Sequence, residues 1–364
     1  MKPDMRSRFR GCLIGGAVGD ALGAPVEFMN HAEIVRRFGP DGIKDYVPAY
    51  GKLGAITDDT QMTLFTAEGM LRAYVRGCMR GLSTFTGVTD HAYLRWLETQ
   101  GYKAPTDIGR DGWLWEQKAL HSARAPGRTC ISALKSKRGF GDRAVNDSKG
   151  CGGVMRVAPV GLYAWHRRSE DGVATEFFDI ASEISGLTHG HPTGQWPAGV
   201  LALLVMRCLD GVPLAESLLE AKAILKTKDR YQETLDAILM AETLAASGMK
   251  PGAEQVEKLG GGWIAEEALA ISIYCVLVAT DFEDGVALAV NHGGDSDSTG
   301  AIAGNLLGAL LGLDAIPQRW REPLELIDVI EHVADDLFEY PTWNIGEYVT
   351  GGDNERIWAR YPGW

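Results

Sequence analysis

The chain is poor in several features, and each scarcity removes a class of protein. There is no CxxC pair and no close cysteine–histidine group; Cys12, Cys78, Cys130, Cys151, Cys208 and Cys275 lie scattered through 364 residues. That spacing excludes zinc modules and a disulfide framework, and makes a reducing cytoplasm the expected compartment. A charged-then-apolar leader with a cleavage site is missing from the N-terminus. Long apolar runs are missing too: the best, near residues 198–206 and 301–313, are too short or too broken by glycine to cross a bilayer. Basic charge is scarce, with 36 Lys and Arg against 48 Asp and Glu and a net charge of −12. A field of that sign repels nucleic acid and anionic membranes, so neither is an expected partner. No phosphate-binding GxxxxGK[ST] occurs, and the glycines near the N-terminus do not follow a strand as a dinucleotide fingerprint requires. Alternating strand-like runs are nearly absent, and no repeat is detectable.

What the chain does have is glycine and apolar residues, 45 of the former and 45% of the latter. Gly11, Gly15, Gly19 and Gly23 recur every fourth residue, and Gly300, Gly304, Gly308 and Gly312 repeat the pattern near the other end. At helical spacing each set lines one face and strips it of side chains, so another backbone can approach closely. Glycine costs about 1 kcal/mol per helix-interior position relative to alanine, so close helix packing is the simplest compensation. Apolar periodicity predicts further helices at about 31–38, 58–74, 89–99, 113–121, 129–136, 173–187, 194–209, 213–226, 229–247, 263–279, 281–290 and 322–338. Pro25 should end the first helix, and Thr129 is the expected cap of the helix near 129–136. The expected fold is therefore all-α, a single domain over residues 1–364, with 76–150 as a variable covering segment.

Two acidic clusters stand out against this background. Thr57-Asp58-Asp59-Thr60 and Gly293-Gly294-Asp295-Ser296-Asp297-Ser298-Thr299 each sit where a loop turns into an apolar helix. Helix capping accounts for one or two acids at each place. Four acids with no lysine or arginine among them exceed that need, and together they repel unless a cation sits between them. Asp58, Asp59, Asp295 and Asp297, with the Thr57 and Ser298 hydroxyls, make a hard oxygen site suited to Mg²⁺, Mn²⁺ or Ca²⁺. Four carboxylates exceed what one Mg²⁺ takes, so two ions about 3.5–4 Å apart are expected. The twelve-residue ligand rhythm of an EF-hand is absent.

Three further stretches carry polar groups. The glycine loop Asn146-Asp-Ser-Lys-Gly-Cys-Gly-Gly-Val-Met-Arg156 can turn backbone N–H groups toward a ligand. His189 and His191, in Thr-His-Gly-His-Pro, have no third soft ligand nearby, so hydrogen bonding or loop structure is favoured over metal ligation. Glu27 follows Pro25 in the loop that leaves the first glycine ridge, which makes it a candidate site acid.

The motifs GCLIGGAVGDALGAPVEF, ITDDTQM, NDSKGCGGVMRVAPVG, LTHGHP and NHGGDSDSTGAIAGNLLGALLG, in that order between residue 11 and about 312, resemble those of the ADP-ribosylglycohydrolase family. The resemblance implies an orthogonal bundle of a dozen or more helices around two Mg²⁺ or Mn²⁺ ions. Matched motif by motif, it makes Thr57, Asp58, Asp59, Asp295, Asp297 and Ser298 the metal ligands; members usually have threonine where this chain has Ser298. Glu27, Asp58 and Asp295 are the implied catalytic acids, with the choice of a general base left open. Ser148, Lys149, Gly150, Cys151 and Gly152 correspond to the loop around the diphosphate and distal ribose, and His189 to a ligand-contacting histidine. Many members carry asparagine at the Cys151 position. The implied activity is metal-dependent hydrolysis of the glycosidic bond between ADP-ribose and a modified protein side chain, arginine favoured. Regulation of a target enzyme and immunity to an ADP-ribosylating toxin are both open as its purpose. Alternatives are ADP-ribosyl-serine or O-acetyl-ADP-ribose as substrate, a different metal-dependent hydrolase of a small phosphorylated nucleoside, and a non-catalytic crystallin-like protein. Trp113, Trp115 and Arg124 either line the cleft or belong to core and surface.

Overall fold

The computed structural model describes residues 3–363, and among them every long element is a helix. In chain order these are α1 (Met5–Gly23), α2 (His31–Phe38), α3 (Asp58–Arg80), α4 (Phe85–Thr99), α5 (Arg128–Lys135) and α6 (Ala158–Trp165). There follow α7 (Val173–Gly186), α8 (Trp196–Leu209), α9 (Leu214–Leu225), α10 (Gln232–Ala246), α11 (Ala253–Val256) and α12 (Ala265–Val278). The last are α13 (Phe282–Val290), α14 (Ser296–Leu311), α15 (Gln318–Arg321), α16 (Ile327–Glu339) and α17 (Gly352–Arg360). The all-α expectation is met; of the 1–364 range, Met1, Lys2 and Trp364 lie outside the described residues.

The two glycine ridges face each other at the centre. α1 and α14 run antiparallel, Gly11 against Gly308, Gly15 against Gly304, Gly19 against Gly300 and Gly23 against Ser296. A Cβ on Gly11 would stand 2.5 Å from the Gly308 carbonyl oxygen, and one on Gly300 2.6 Å from that of Gly19. No side chain fits between the backbones, which is why the costly glycines are present. Asn305 Nδ2 donates to the Cys12 carbonyl at 2.8 Å and pins the register. Around this pair α3, α6, α8, α12, α13 and α16 bury a continuous apolar core.

The pairing fixes where the acids go. Asp20 in α1, fully buried, accepts from the backbone N–H of Thr57 (3.0 Å) and of Thr60 (3.1 Å) and from the Thr60 hydroxyl. The last turn of α1 therefore holds the first turn of α3, while Gly23 touches the first turn of α14. Two helix N-termini, each carrying two aspartates, are brought to one point, and their positive dipole ends partly offset the charge.

Four local expectations are corrected. Residues 113–121 form no α-helix: only Lys118–Leu120 makes a 3₁₀ turn, because Gly112 takes φ +87° and Trp113 N–H is drawn to the Arg360 carbonyl. α3 runs past residue 74 to Arg80, where Gly81 at φ +70° ends it. α16 starts at Ile327, not 322, since Glu325 N–H bonds to the Gly54 carbonyl and Leu326 adopts φ +60°. Thr129 lies inside α5; Gly127 occupies the position before the helix, and its N–H is given to Asp58 Oδ2 at 3.0 Å.

Candidate active site

A cleft of about 200 Å³ opens where α1, α3 and α14 meet. Its lining includes Glu27, Asp58, Asp59, Asp295, Asp297 and Ser298, together with Gly127 to Cys130, Gly150 to Gly152 and His189. Asp58 and Asp59, 4% and 3% exposed, are thus beside Asp295 and Asp297, 3% and 2% exposed, although more than 230 residues separate the clusters. One carboxylate oxygen each from Glu27, Asp295 and Asp297 lie within 4.8 Å of one another. The Thr57 hydroxyl caps α3, 3.3 Å from Asp59 N–H and 3.4 Å from Asp59 Oδ2.

The electrostatics are those of acids crowded without a counter-charge. Burial, followed by Asp297, Asp295, Asp58 and Asp20, pushes the Glu27 carboxyl up to about 10. Burial drives Asp58, Asp59 and Asp295 well above the carboxylate range, and Asp297 also rises for that reason. Asp20 rises to about 7, through burial and then Asp297, against the hydrogen bonds from Thr60 and Thr57. Two oxygens of cleft-lining residues, Glu27 Oε2 and Asp59 Oδ1, are buried with no hydrogen-bond partner. Oxygen donors left unpaired at the meeting point of four buried aspartates fit a hard divalent cation. Among the residues expected as ligands, Asp58, Asp59, Asp295, Asp297 and Ser298 line the cleft together with Glu27 and could hold such a cation, whereas Thr57 is not part of the lining.

This crowding has a measurable consequence. Each acid's folded pKa lies above its unfolded value near 4, so the folded chain binds more protons than the unfolded chain. Without cations its stability should therefore fall as pH rises from about 4 toward the folded values, about 7 for Asp20 and about 10 for Glu27. The gain in melting midpoint on adding Mg²⁺ or Mn²⁺ is expected to be larger at about pH 8 than at about pH 5. Equal gains at both would contradict the assignment.

The rest of the lining includes the loop expected to meet the ligand. His189, 1% exposed, accepts or donates at Nδ1 to the Thr188 hydroxyl (2.8 Å), and burial lowers its pKa to about 3, so it is a neutral ring. A Cβ on either Gly150 or Gly152 would stand 3.2 Å from that ring, so these glycines let the loop pack closely against it. Two N–H groups of the loop are not free for a ligand: Gly150 N–H bonds the Ser148 hydroxyl (3.2 Å) and Cys151 N–H the Trp263 carbonyl (3.2 Å). Lys149 turns its ammonium to Glu233 at 2.5 Å, away from the cleft, and the Ser148 hydroxyl lies 3.3 Å from that of Thr129. His191 is outside the acidic cluster, its Nε2 2.6 Å from Arg230.

Trp113 packs on His332 and Arg360, and Trp115 on His121, so neither lines the cleft. Arg124 braces it from behind: it donates to Glu325 and to the Ile56 carbonyl, and its own carbonyl takes Asp58 N–H. Asp20 and the rim pair Phe28 and Trp263, stacked with centroids 5.8 Å apart, are not singled out by sequence reasoning. Asp20 had a signal, being the one acid in an otherwise apolar, glycine-faced helix segment after Arg10; the aromatic pair had none.

Fold and cleft together define an all-helical protein with a buried carboxylate centre at the junction of two helix N-termini. Comparison with known proteins names the class. The sequence profile of the ADP-ribosylglycohydrolase family matches residues 1–345, and the chain belongs to that family. Relatives include the ADP-ribosyl-[dinitrogen reductase] glycohydrolase of Rhodospirillum rubrum, 25% identical over 89% of this chain and 92% of its own. The ADP-ribosylarginine hydrolase Tri1 of Pseudomonas putida is 24% identical over 91% of this chain and 78% of its own. ADP-ribosylhydrolase ARH3 of Mus musculus is 25% identical over 91% of each. A solved structure described as an ADP-ribosylglycohydrolase-related protein complex superposes with a TM-score of 0.61 at 27% identity, covering 92% of this chain and 98% of that one.

Proposed function

We propose that this chain hydrolyses the glycosidic bond joining ADP-ribose to a modified arginine side chain, using two Mg²⁺ or Mn²⁺ ions. The observation that carries the reading is the gathering of Asp58, Asp59, Asp295 and Asp297, from opposite ends of the sequence, into one cleft with unpartnered oxygens. Bound there, the ions would supply Lewis-acid polarisation and lower the pKa of a water. The chain's own part is to orient and exclude. Asp20 fixes the turn that carries Asp58 and Asp59, and Gly127 N–H holds Asp58 Oδ2 in place. A carboxylate facing the sugar's anomeric carbon stabilises positive charge developing there, as in two-carboxylate glycosidases. We assign that role to Glu27, one carboxylate oxygen of which lies within 4.8 Å of those of Asp295 and Asp297. Neutral His189 and the 148–152 loop form the wall that the diphosphate and distal ribose would meet. Residues 125 and 127–130, within the 76–150 stretch expected to vary, line the cleft, and linkage choice should reside there.

Arginine is favoured because the Rhodospirillum and Pseudomonas relatives are named for removal of ADP-ribose from a protein and from arginine. ADP-ribosyl-serine and O-acetyl-ADP-ribose are the second reading; the ARH3 relatives are named as ADP-ribosylhydrolases without a linkage. All six cysteines are free thiols, in keeping with work in the reducing cytoplasm, on a regulated enzyme or a toxin's target. The test is parallel incubation with ADP-ribosylated arginine protein, ADP-ribosylated serine peptide and O-acetyl-ADP-ribose, with Mn²⁺ or with EDTA. Release of ADP-ribose should be fastest from arginine and should stop in EDTA. Faster release from serine, or release indifferent to EDTA, would overturn the linkage or the metal requirement respectively.

A further inference from the structure

One side chain in the cleft does not match the hard oxygen set around it. Cys151 begins a 3₁₀ turn whose backbone is held at both ends: its N–H bonds the Trp263 carbonyl, and its own carbonyl takes Val154 N–H at 2.9 Å. The side chain is thereby aimed at the acids. Its Sγ lies 2.7 Å from Asp295 Oδ2 and 3.7 Å from Ser298 Oγ, two of the groups assigned to the cation centre. Asp59 and Glu27, which line the same cavity and are 3% and 8% exposed, each keep a buried oxygen, Oδ1 and Oε2, without a hydrogen-bond partner. A cation bound by Asp295 Oδ2 and the Ser298 hydroxyl comes within reach of the Cys151 sulfur. The other cleft thiol, Cys130, faces the Gly152 carbonyl and Arg156 instead.

We propose that Cys151 is a ligand of the cation centre, and that this chain accepts thiophilic divalent ions such as Co²⁺, Zn²⁺ and Cd²⁺ there. The proposal rests on the acidic cluster being a cation site. Thiolate donors select softer ions, whereas carboxylates and hydroxyls suit Mg²⁺ and Mn²⁺, so a mixed site shifts the balance toward the soft end. On binding, the S–H bond breaks, the sulfur–metal bond forms and the proton leaves to solvent.

The alternative role for the thiol is to donate a hydrogen bond to Asp295 from behind the metal. The two differ in a spectrum. The full chain, stripped with EDTA, is titrated with Co²⁺ alone and followed by absorption. The proposal requires a near-ultraviolet thiolate-to-cobalt charge-transfer band that saturates together with the visible d–d bands. Cys151→Ser and Cys151→Asn should lose that band and keep the d–d bands, while Cys130→Ser keeps both. Saturating d–d bands without charge transfer in the unsubstituted chain, or charge transfer that survives in the Cys151 variants, would overturn it. Absence of both signals would overturn the cation site itself. Competition titration gives a second reading: Cys151→Asn should lower affinity for Cd²⁺ on the order of tenfold or more while leaving Mg²⁺ nearly unchanged. A ratio unaltered by the substitution counts against ligation.

Discussion

Release of ADP-ribose from modified arginine should fall by about 10³-fold or more when Asp58 and Asp295 are both changed to alanine, because divalent-ion catalysis is worth several kcal/mol of barrier. One acid is lost from each helix N-terminus, so neither half of the site can hold an ion alone. The fold should survive. Both carboxyls are raised by burial and then by the neighbouring Asp297, so removing them relieves repulsion in the metal-free state. The helical circular dichroism signal is thus expected to persist, with a melting midpoint in EDTA equal to or above that of the unsubstituted chain. Activity within tenfold of the original, measured in Mn²⁺, would remove these acids from the mechanism. Loss of activity accompanied by loss of the helical signal would instead make the pair structural.

The second large effect belongs to the glycine ridges and should appear in stability. Gly304→Val places a branched side chain against the Gly15 backbone, with no flexible neighbour to move aside. Overpacking of a core costs about 1–3 kcal/mol when side chains can shift. Here two backbones must separate along their length, so the loss is expected to exceed about 3 kcal/mol out of a total of roughly 5–15. The variant should melt far below the original or accumulate unfolded. Gly77→Ala is the matched control: in α3 the nearest atom to its new Cβ is 4.0 Å away, on Ser83. That substitution should stabilise the chain by about 1 kcal/mol, by limiting the unfolded state and favouring the helix. A Gly304→Val protein that melts with the control would mean the helices are not packed backbone to backbone.

These two features were also the ones legible before the structure. A four-residue glycine period and a run of unpaired acids are local patterns, and each carries its physical demand with it: close approach in one case, a counter-charge in the other. Most helices were legible for the same reason, since their apolar period is a property of neighbouring residues. Where long-range contacts decide, the sequence was silent. Trp113 leaves a helical path because the Arg360 carbonyl, some 250 residues away, takes its N–H. For Arg124 the sequence leaves cleft lining and a core or surface role equally open, and the structure makes it a brace, because its guanidinium is held by Glu325 while its carbonyl takes Asp58 N–H. Asp20 is the clearest case. It stands in plain view within a glycine helix, yet its role is to hold the start of a helix 37 residues later, which only the packing of α1 reveals. Cys151 reads as part of a loop, and its position against Asp295 follows from the turn that the loop makes.

The central claim is that the two acidic clusters share divalent ions. Crystals of the full chain soaked in Mn²⁺ and measured for anomalous scattering test it most directly. The account predicts strong anomalous peaks in the cleft bounded by Asp58, Asp59, Asp295 and Asp297, two of them about 3.5–4 Å apart. A cleft without anomalous density at saturating Mn²⁺, or peaks confined to surface carboxylates elsewhere, would contradict it.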